Sequence, residues 1–434
     1  MRRGLLVVLA VIVVVLAAAA AFFFLPESEQ QVALSSEAPK GQALIARGAY
    51  LARAADCVSC HTPGPGRDYA GGVPFKLPFG TIYAPNITPD KETGIGSWSD
   101  ADFVRAVRRG VSKKGHMLYP AFPYASYALM STDDVLAIKA YLFSLPPVHD
   151  PTPKNEVRFP YNQNYLLRAW RLLFVPGRRF EPDSSKSPQW NRGNYLVEAL
   201  GHCGECHTPR NGLYGLDDGR KFAGAVVQGW KAYNISSDRS AGLGDWSDQQ
   251  IAEYLASGHA PGRSSAGGSM AEAVEHSLRH LTAEDIQAIV AYLRTVPPQQ
   301  AGMQAAIAAD APEAKASSAY ALAPHQNRTS TLGLHMFQAA CASCHGFNGA
   351  GLQTKEADLV GSHSVNDPHG TNLMAAVLHG TSLTTPLGTA AMPSFGKAYS
   401  DTEIAALSNF VIQHFGGKTG AVTPRDVANA RSEP

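Results

Sequence analysis

The chain has 434 residues, a formal net charge of +1, 17% charged and 45% hydrophobic residues. That length suits about three domains at ~100–200 residues each. A near-zero charge offers no field to a polyanion, which excludes nucleic acid as a partner, and a charged fraction below the ~25% usual in soluble domains points to buried edges, interfaces or membrane contact.

Met1-Arg2-Arg3 precedes an unbroken apolar run from Gly4 to Leu25, and ~20 such residues suffice to span a bilayer. Basic residues ahead of the run place the N-terminus in the cytoplasm and the body on the exported side. Two readings remain open. Ala17 to Ala21 offers a signal-peptide cleavage site, but Phe22-Phe23-Phe24-Leu25 prolongs the run past the ~7–15 apolar residues of a signal sequence. A retained anchor over 1–26 is preferred, with the body at the periplasmic face of the cytoplasmic membrane. Polar residues 27–42 follow as a tether.

The next segment, 43–150, contains Cys57-Val58-Ser59-Cys60-His61. The pattern returns as Cys203-Gly204-Glu205-Cys206-His207 in 189–300 and as Cys341-Ala342-Ser343-Cys344-His345 in 328–420, and the three copies use every cysteine. Cys-x-x-Cys alone also serves redox dithiols and zinc sites. A histidine directly after the second cysteine, three times over, is the attachment signature of c-type haem. In each copy the thiols bond porphyrin vinyl groups as thioethers, and His61, His207 or His345 becomes the proximal iron ligand. The expectation is three covalently bound haem c groups.

Other repeats accompany the motifs. Arg47-Gly48-Ala49-Tyr50-Leu51 before Cys57 is matched by Arg192-Gly193-Asn194-Tyr195-Leu196 before Cys203, each on a short helix whose small residue permits a close crossing. Asn86-Ile87-Thr88 matches Asn234-Ile235-Ser236, and Gly94-Ile95-Gly96-Ser97-Trp98-Ser99-Asp100 matches Gly242-Leu243-Gly244-Asp245-Trp246-Ser247-Asp248. Trp98 and Trp246 read equally as indole donors to a haem propionate or as core residues. Ser131-Thr132-Asp133-Asp134, Thr282-Ala283-Glu284-Asp285 and Ser400-Asp401-Thr402-Glu403 resemble capping boxes, with Asp for Glu in two. Apolar residues follow at helical spacing: Val135, Ile138, Tyr141, Leu142; Ile286, Ile289, Tyr292, Leu293; Ile404, Leu407, Phe410, Val411. Pro146-Pro147, Pro297-Pro298 and Gly416-Gly417 stop them. The expected fold is all-α: three tandem cytochrome c-like domains with long loops, after an N-terminal apolar helix. Residues 301–327 read as a flexible linker and 421–434 as a tail. The linker 151–188 contains Phe159-Pro160-Tyr161 and the stretch Leu166 to Val175, apolar with interleaved arginines. It reads as a strap across the haem units, or as a surface for a partner or the membrane interface.

The second axial ligand decides between carrier and enzyme, because methionine raises the potential and an open face admits small molecules. Met392, in Ala391-Met392-Pro393, precedes the third terminal helix and is the ligand expected there; Met374 reads as core. Met270, after Ala266-Gly267-Gly268-Ser269, is expected to bind the second iron. In the first unit Phe122 takes the place of Met392 and cannot bind iron. Met130, just before Ser131, is preferred, Met117 is the runner-up, and an open or His116-bound iron is the residual case.

These residues resemble the triple-haem cytochrome c subunits of membrane-bound bacterial dehydrogenases acting on alcohols, aldehydes, gluconate and sugars. The resemblance covers nearly all of 43–420. It is most specific at Asn86-Ile87-Thr88-Pro89-Asp90, at Leu118-Tyr119-Pro120-Ala121-Phe122-Pro123-Tyr124 and at Gly201 to Arg210. Many relatives have Met where this chain has Phe122. The resemblance implies electron transfer from a separate dehydrogenase catalytic subunit to ubiquinone or another acceptor, with no catalytic residue in this chain. Two other readings are a peroxidase-like haem enzyme with one open iron, and a membrane-tethered cytochrome donating to a terminal oxidase. No phosphate-binding fingerprint, nucleophile elbow or metalloprotease helix supports an enzyme. His202, beside Cys203, is the acid/base candidate such an enzyme would use, and a place beside the ligands or propionates suits it better.

Overall fold

The computed structural model describes residues 2–24, 32–299, 328–386 and 388–432. The linker expected at 301–327 and the start of the tether, 27–31, lie outside the described residues. The chain divides into two compact units, Met1–Glu181 with Glu198–His202, and Pro182–Val197 with Cys203–Pro434. The first unit holds the first cysteine motif and the second unit the other two.

Each motif follows a helix that crosses a terminal helix. In the first unit these are Gln42–Ala54 and Thr132–Phe143. In the second they are Pro188–Tyr195 with Ala283–Leu293, and Arg328–Met336 with Asp401–Gly416. All three crossings are closed by glycine. A Cβ on Gly48 would overlap the Ala137 carbonyl oxygen, on Gly193 that of Ala288, and on Gly333 that of Ala406. Backbones approach this closely only where one side chain is absent. The expected apolar stripes lie in the crossings: Val135, Ile138 and Leu142, Ile286, Ile289 and Leu293, and Ile404, Leu407, Phe410 and Val411 are buried.

The terminal helices start as their sequences suggest, with one difference that explains the Asp-for-Glu exchange. Ser131 accepts from Asp134 N and Thr282 from Asp285 N. The Asp134 carboxylate also receives Arg47 Nε and Nη2 at 3.0 and 2.6 Å, and Asp285 receives Arg192 at 2.8 and 2.6 Å. The arginine beside each crossing glycine is thus bound to the cap of the partner helix. The third crossing has Leu332 beside Gly333, and there Glu403 turns back to Ser400 N at 2.8 Å in a full capping box.

Helices predominate, but the all-α expectation omits short antiparallel strand pairs in the loops. Pro74–Leu77 pairs with Gly80–Tyr83, Ala225–Val227 with Trp230–Ala232, and Thr381–Thr385 with Gly388–Met392. In the second of these, Gln228 (φ 49°) and Gly229 (φ 76°) make a two-residue turn, the conformation a tight hairpin requires.

Gly4–Phe24 is the one helix among the described residues long and apolar enough to cross a membrane, and none of it is buried. Its end meets the linker: Arg168 Nη1 donates to Phe22 O at 2.6 Å, and the Phe24 and Tyr165 rings lie 5.3 Å apart. The linker straps the first unit. Trp170 meets Tyr124 edge to face at 6.1 Å, Arg179 Nη1 donates to Ala128 O at 2.7 Å, and Phe180 N to Leu129 O at 2.9 Å. Its helix Leu167–Phe174 is inside out. Arg168 and Arg171 are each 8% exposed, whereas Leu172 and Leu173 are 69% and 67% exposed. The guanidinium groups face backbone carbonyls that need donors, which turns the leucines outward.

Candidate haem-binding sites

The three motif histidines share one geometry. His61 Nδ1 lies 2.7 Å from Pro85 O, His207 Nδ1 2.6 Å from Tyr233 O, and His345 Nδ1 2.7 Å from Ala357 O. A carbonyl only accepts, so Nδ1 carries the proton and Nε2 keeps a bare lone pair. Burial lowers all three pKa values, His61 to about 4. Each imidazole is therefore neutral at physiological pH, and its orientation is set by a backbone atom, as for a histidine that ligates a metal through the other nitrogen.

The carbonyls are themselves held by the repeated asparagines. Asn86 Nδ2 donates to Val148 O at 2.7 Å while its Oδ1 accepts from Thr88 N at 2.9 Å. Asn234 Nδ2 donates to Gln299 O at 2.7 Å, and its Oδ1 accepts from Ser236 N at 2.8 Å. These buried side chains fix the loop one residue after Pro85 and Tyr233. Behind the histidines, Gly71 N donates to His61 O and Gly224 N to His207 O, both at 2.8 Å, and Gly351 N donates to His345 O at 3.0 Å. Thr62 Oγ1 and Thr208 Oγ1 accept from Tyr69 N and Phe222 N at 3.0 Å.

The six cysteines, Cys57, Cys60, Cys203, Cys206, Cys341 and Cys344, are half-buried and none forms a disulfide. Burial, with Asp56 and Cys60 nearby, pushes the Cys57 thiol up to about 12, and burial pushes Cys341 to about 11. Among the described residues no group of three or more His, Cys, Asp or Glu could hold a metal ion. The residues do fit haem c: paired thiols beside a helical turn, followed by an imidazole with its outer nitrogen bare.

The methionines divide into buried and half-buried. Met130 is 1% exposed and its N donates to Tyr127 O at 3.0 Å, directly ahead of the terminal helix. Met117 is also buried, and its Sδ lies 4.0 Å from Arg171 Nη1. Phe122 packs on Tyr124 and Tyr127, with ring centroids 6.3 and 5.5 Å apart. Met270 is half-buried on the helix Ser269–His276, against Ala266, Ala271, Val274 and Leu383. Met392 is half-buried at the end of the strand Gly388–Met392, on the third core, and Met374 lies within that core. Trp98 is half-buried and Trp246 buried. His202 takes a left-handed φ of 38° and meets the Tyr127 ring edge to face at 5.6 Å.

The carbonyl partners Pro85, Tyr233 and Ala357 were not foreseen from sequence. A backbone acceptor leaves no side-chain signature, although Pro85 and Tyr233 stand directly before the repeated asparagines.

Comparison with known proteins agrees with this geometry. Residues 45–146 match the model of the cytochrome c family, and residues 330–411 match that described as cytochrome C oxidase, cbb3-type, subunit III. The chain is 38% identical to the fructose dehydrogenase cytochrome subunit of Gluconobacter japonicus, over 89% of this chain and 82% of that one. It is 38% identical to the gluconate 2-dehydrogenase cytochrome c subunit of Pantoea cypripedii, over 90% of each. It is 37% identical to the cytochrome c subunit of the quinone alcohol dehydrogenase of Gluconacetobacter polyoxogenes, over 92% and 86%. Cytochrome c domains bind haem c covalently. The chain belongs to the family of cytochrome c subunits of the fructose, gluconate and alcohol dehydrogenases.

Proposed function

We propose that this chain is a triple-haem electron carrier between a dehydrogenase catalytic subunit and a respiratory acceptor, ubiquinone or an oxidase, at the periplasmic face of the cytoplasmic membrane. The observation that carries the reading is the threefold repeat of an imidazole with Nδ1 bound to a backbone carbonyl and Nε2 left as a bare lone pair, directly after a pair of cysteines. Haem c, when bound, supplies one-electron redox chemistry. The chain attaches it through Cys57 and Cys60, Cys203 and Cys206, and Cys341 and Cys344. It orients His61, His207 and His345 as proximal ligands through the carbonyls of Pro85, Tyr233 and Ala357. Met130, Met270 and Met392 would supply the remaining iron ligands, and a thioether ligand suits a carrier. In the first unit the contact of Met117 Sδ with the Arg171 guanidinium favours Met130. The dehydrogenase partner follows from the names of the relatives.

The reading is tested by mass spectrometry of the denatured chain with pyridine haemochrome quantification, which should return three haems. Co-purification with a catalytic subunit, followed by haem reduction on adding its substrate and reoxidation by a ubiquinone analogue, tests the direction of flow. A count of two or fewer overturns the triple-haem reading, and reduced haem that ubiquinone does not reoxidise overturns ubiquinone as acceptor.

A further inference from the structure

Within the second unit, a hairpin of the second repeat meets a turn of the third. The hairpin runs from His259 to Ser265, with His259 opposite Ser265 and Ala260 opposite Ser264. The turn is Lys355–Ala357, with Asp358 directly after it. Ala357 is the residue whose carbonyl receives His345 Nδ1–H. The hairpin bonds to the residues on either side of it. Ser265 Oγ donates to Glu356 O at 3.0 Å, and Gly262 N donates to Asp358 Oδ2 at 3.2 Å. The backbones continue the seam. His363 N donates to Arg263 O at 2.8 Å, and a Cβ on Gly361 would overlap the Gly262 carbonyl oxygen.

The serine is itself directed. A hydroxyl has one proton and a carbonyl only accepts, so the Ser265 proton points to Glu356 O. His259 Nδ1, 2.9 Å from Ser265 Oγ, must then donate to it. His259 is 2% exposed, and its Nε2 has no hydrogen-bond partner. Burial lowers its pKa against the pull of Asp358 and Glu356, which suits a ring with one proton, on Nδ1. A buried donor behind the hydroxyl thus fixes where the hydroxyl sends its own proton, and bonds in series polarise one another.

The other two repeats hold this place from within. The residue after the orienting carbonyl is Asn86 in the first and Asn234 in the second. Nδ2 of each donates to a carbonyl beyond its own terminal helix, Val148 O and Gln299 O, at 2.7 Å. The third repeat has Asp358 there. A carboxylate has no amide N–H to give, and the bond runs the other way, from a donor in the neighbouring repeat.

We infer that the second repeat positions the proximal ligand of the third haem: Ser265, directed by His259, and Gly262, through Asp358, hold the turn whose Ala357 carbonyl orients His345. The inference rests on the third motif carrying haem. Ser265, His259 and Asp358 are positioning residues. A firm bond from His345 Nδ1–H raises the basicity of the imidazole and favours ferric iron, so the potential of the third haem depends on the repeat beside it.

The test uses the full-length haem-loaded chain, titrated by spectroelectrochemistry. The third haem is identified as the one missing from a Cys341→Ala, Cys344→Ala chain. Ser265→Ala should raise its ferrous-to-ferric ratio at fixed potential by at least about threefold and shift its ferric electron paramagnetic resonance g values. Ser265→Thr, which keeps the hydroxyl, should restore both. If Ser265→Ala does not mature, Ser265→Gly takes its place. Asp358→Ala and Asp358→Asn remove the same charge, but only the second keeps an acceptor for Gly262 N. The ratio should therefore be higher in Asp358→Ala than in Asp358→Asn, again by about threefold. A fully loaded Ser265→Ala chain whose third potential does not move overturns the inference, and so does Ser265→Thr behaving as Ser265→Ala. Equal third potentials in the two Asp358 variants overturn the part given to Gly262. A denatured parental mass lacking the third haem fails the triple-haem reading instead.

Discussion

Gly193 and Ala288 touch backbone to backbone where the helix before the second cysteine motif crosses the terminal helix, with no room for a Cβ between them. Overpacking of this kind costs ~1–3 kcal/mol in an ordinary core, and here the obstacle is a carbonyl rather than a side chain that can turn away. Gly193→Val should lower thermal stability by at least that amount and reduce the yield of haem-loaded chain. Circular dichroism melts and haem-to-protein ratios read both. Gly193→Val melting with the parent would show that the crossing yields.

Met392→Ala and Met270→Ala should each convert one haem to high spin and lower its potential while leaving it attached. Visible and electron paramagnetic resonance spectra give the spin state, and the denatured mass gives attachment. An unchanged spectrum in either variant means that another residue ligates that iron.

Met130 and Met117 are separable in the same way. If Met130 coordinates, the oxidised parent is low spin throughout and binds cyanide and carbon monoxide poorly. Met130→Ala should open one haem to both ligands, and Met117→Ala should not. The reverse result moves the assignment to Met117, and a high-spin haem in the parent favours an open site.

Removing residues 2–25 behind a cleavable signal should release much of the haem-loaded chain from the membrane. Leu172 and Leu173 are apolar and exposed and would offer a second apolar contact, so Leu172→Ser with Leu173→Ser should release the remainder. Sedimentation with membranes before and after each change measures this. A truncated chain that stays bound despite both serines is retained by a partner.

The helical frame was legible in the sequence because its signals are local. Caps at Ser131, Thr282 and Ser400, apolar spacing behind them and glycines ahead of the cysteines all concern residues close along the chain. What joins the elements was less legible. That Asp134 and Asp285 each bind an arginine of the crossing helix could be suspected only from aspartate standing where Glu403 stands in the third repeat. The hairpin at Gln228-Gly229 was not read from the sequence, because the strands beside it are too short for an alternating pattern. In the strap, composition showed leucines and arginines together without saying which would be buried. Carbonyl acceptors at Phe22 and Arg109 for Arg168 and Arg171 decided it, and acceptors of that kind have no letter in a sequence. The cysteines and histidines of the site were evident from their spacing. The carbonyls that orient the imidazoles were not.

The bond from Arg168 to the Phe22 carbonyl fixes the Arg2–Phe24 helix to the first unit independently of residues 27–42. In a bilayer this turns a leash into a mast. The first unit keeps one height above the lipid and travels with its helix, instead of sweeping the volume a slack tether would allow. On the proposed reading, encounters with a lipid-dissolved acceptor would become a search in two dimensions at constant height, with a rate set by lateral diffusion more than by the reach of the chain.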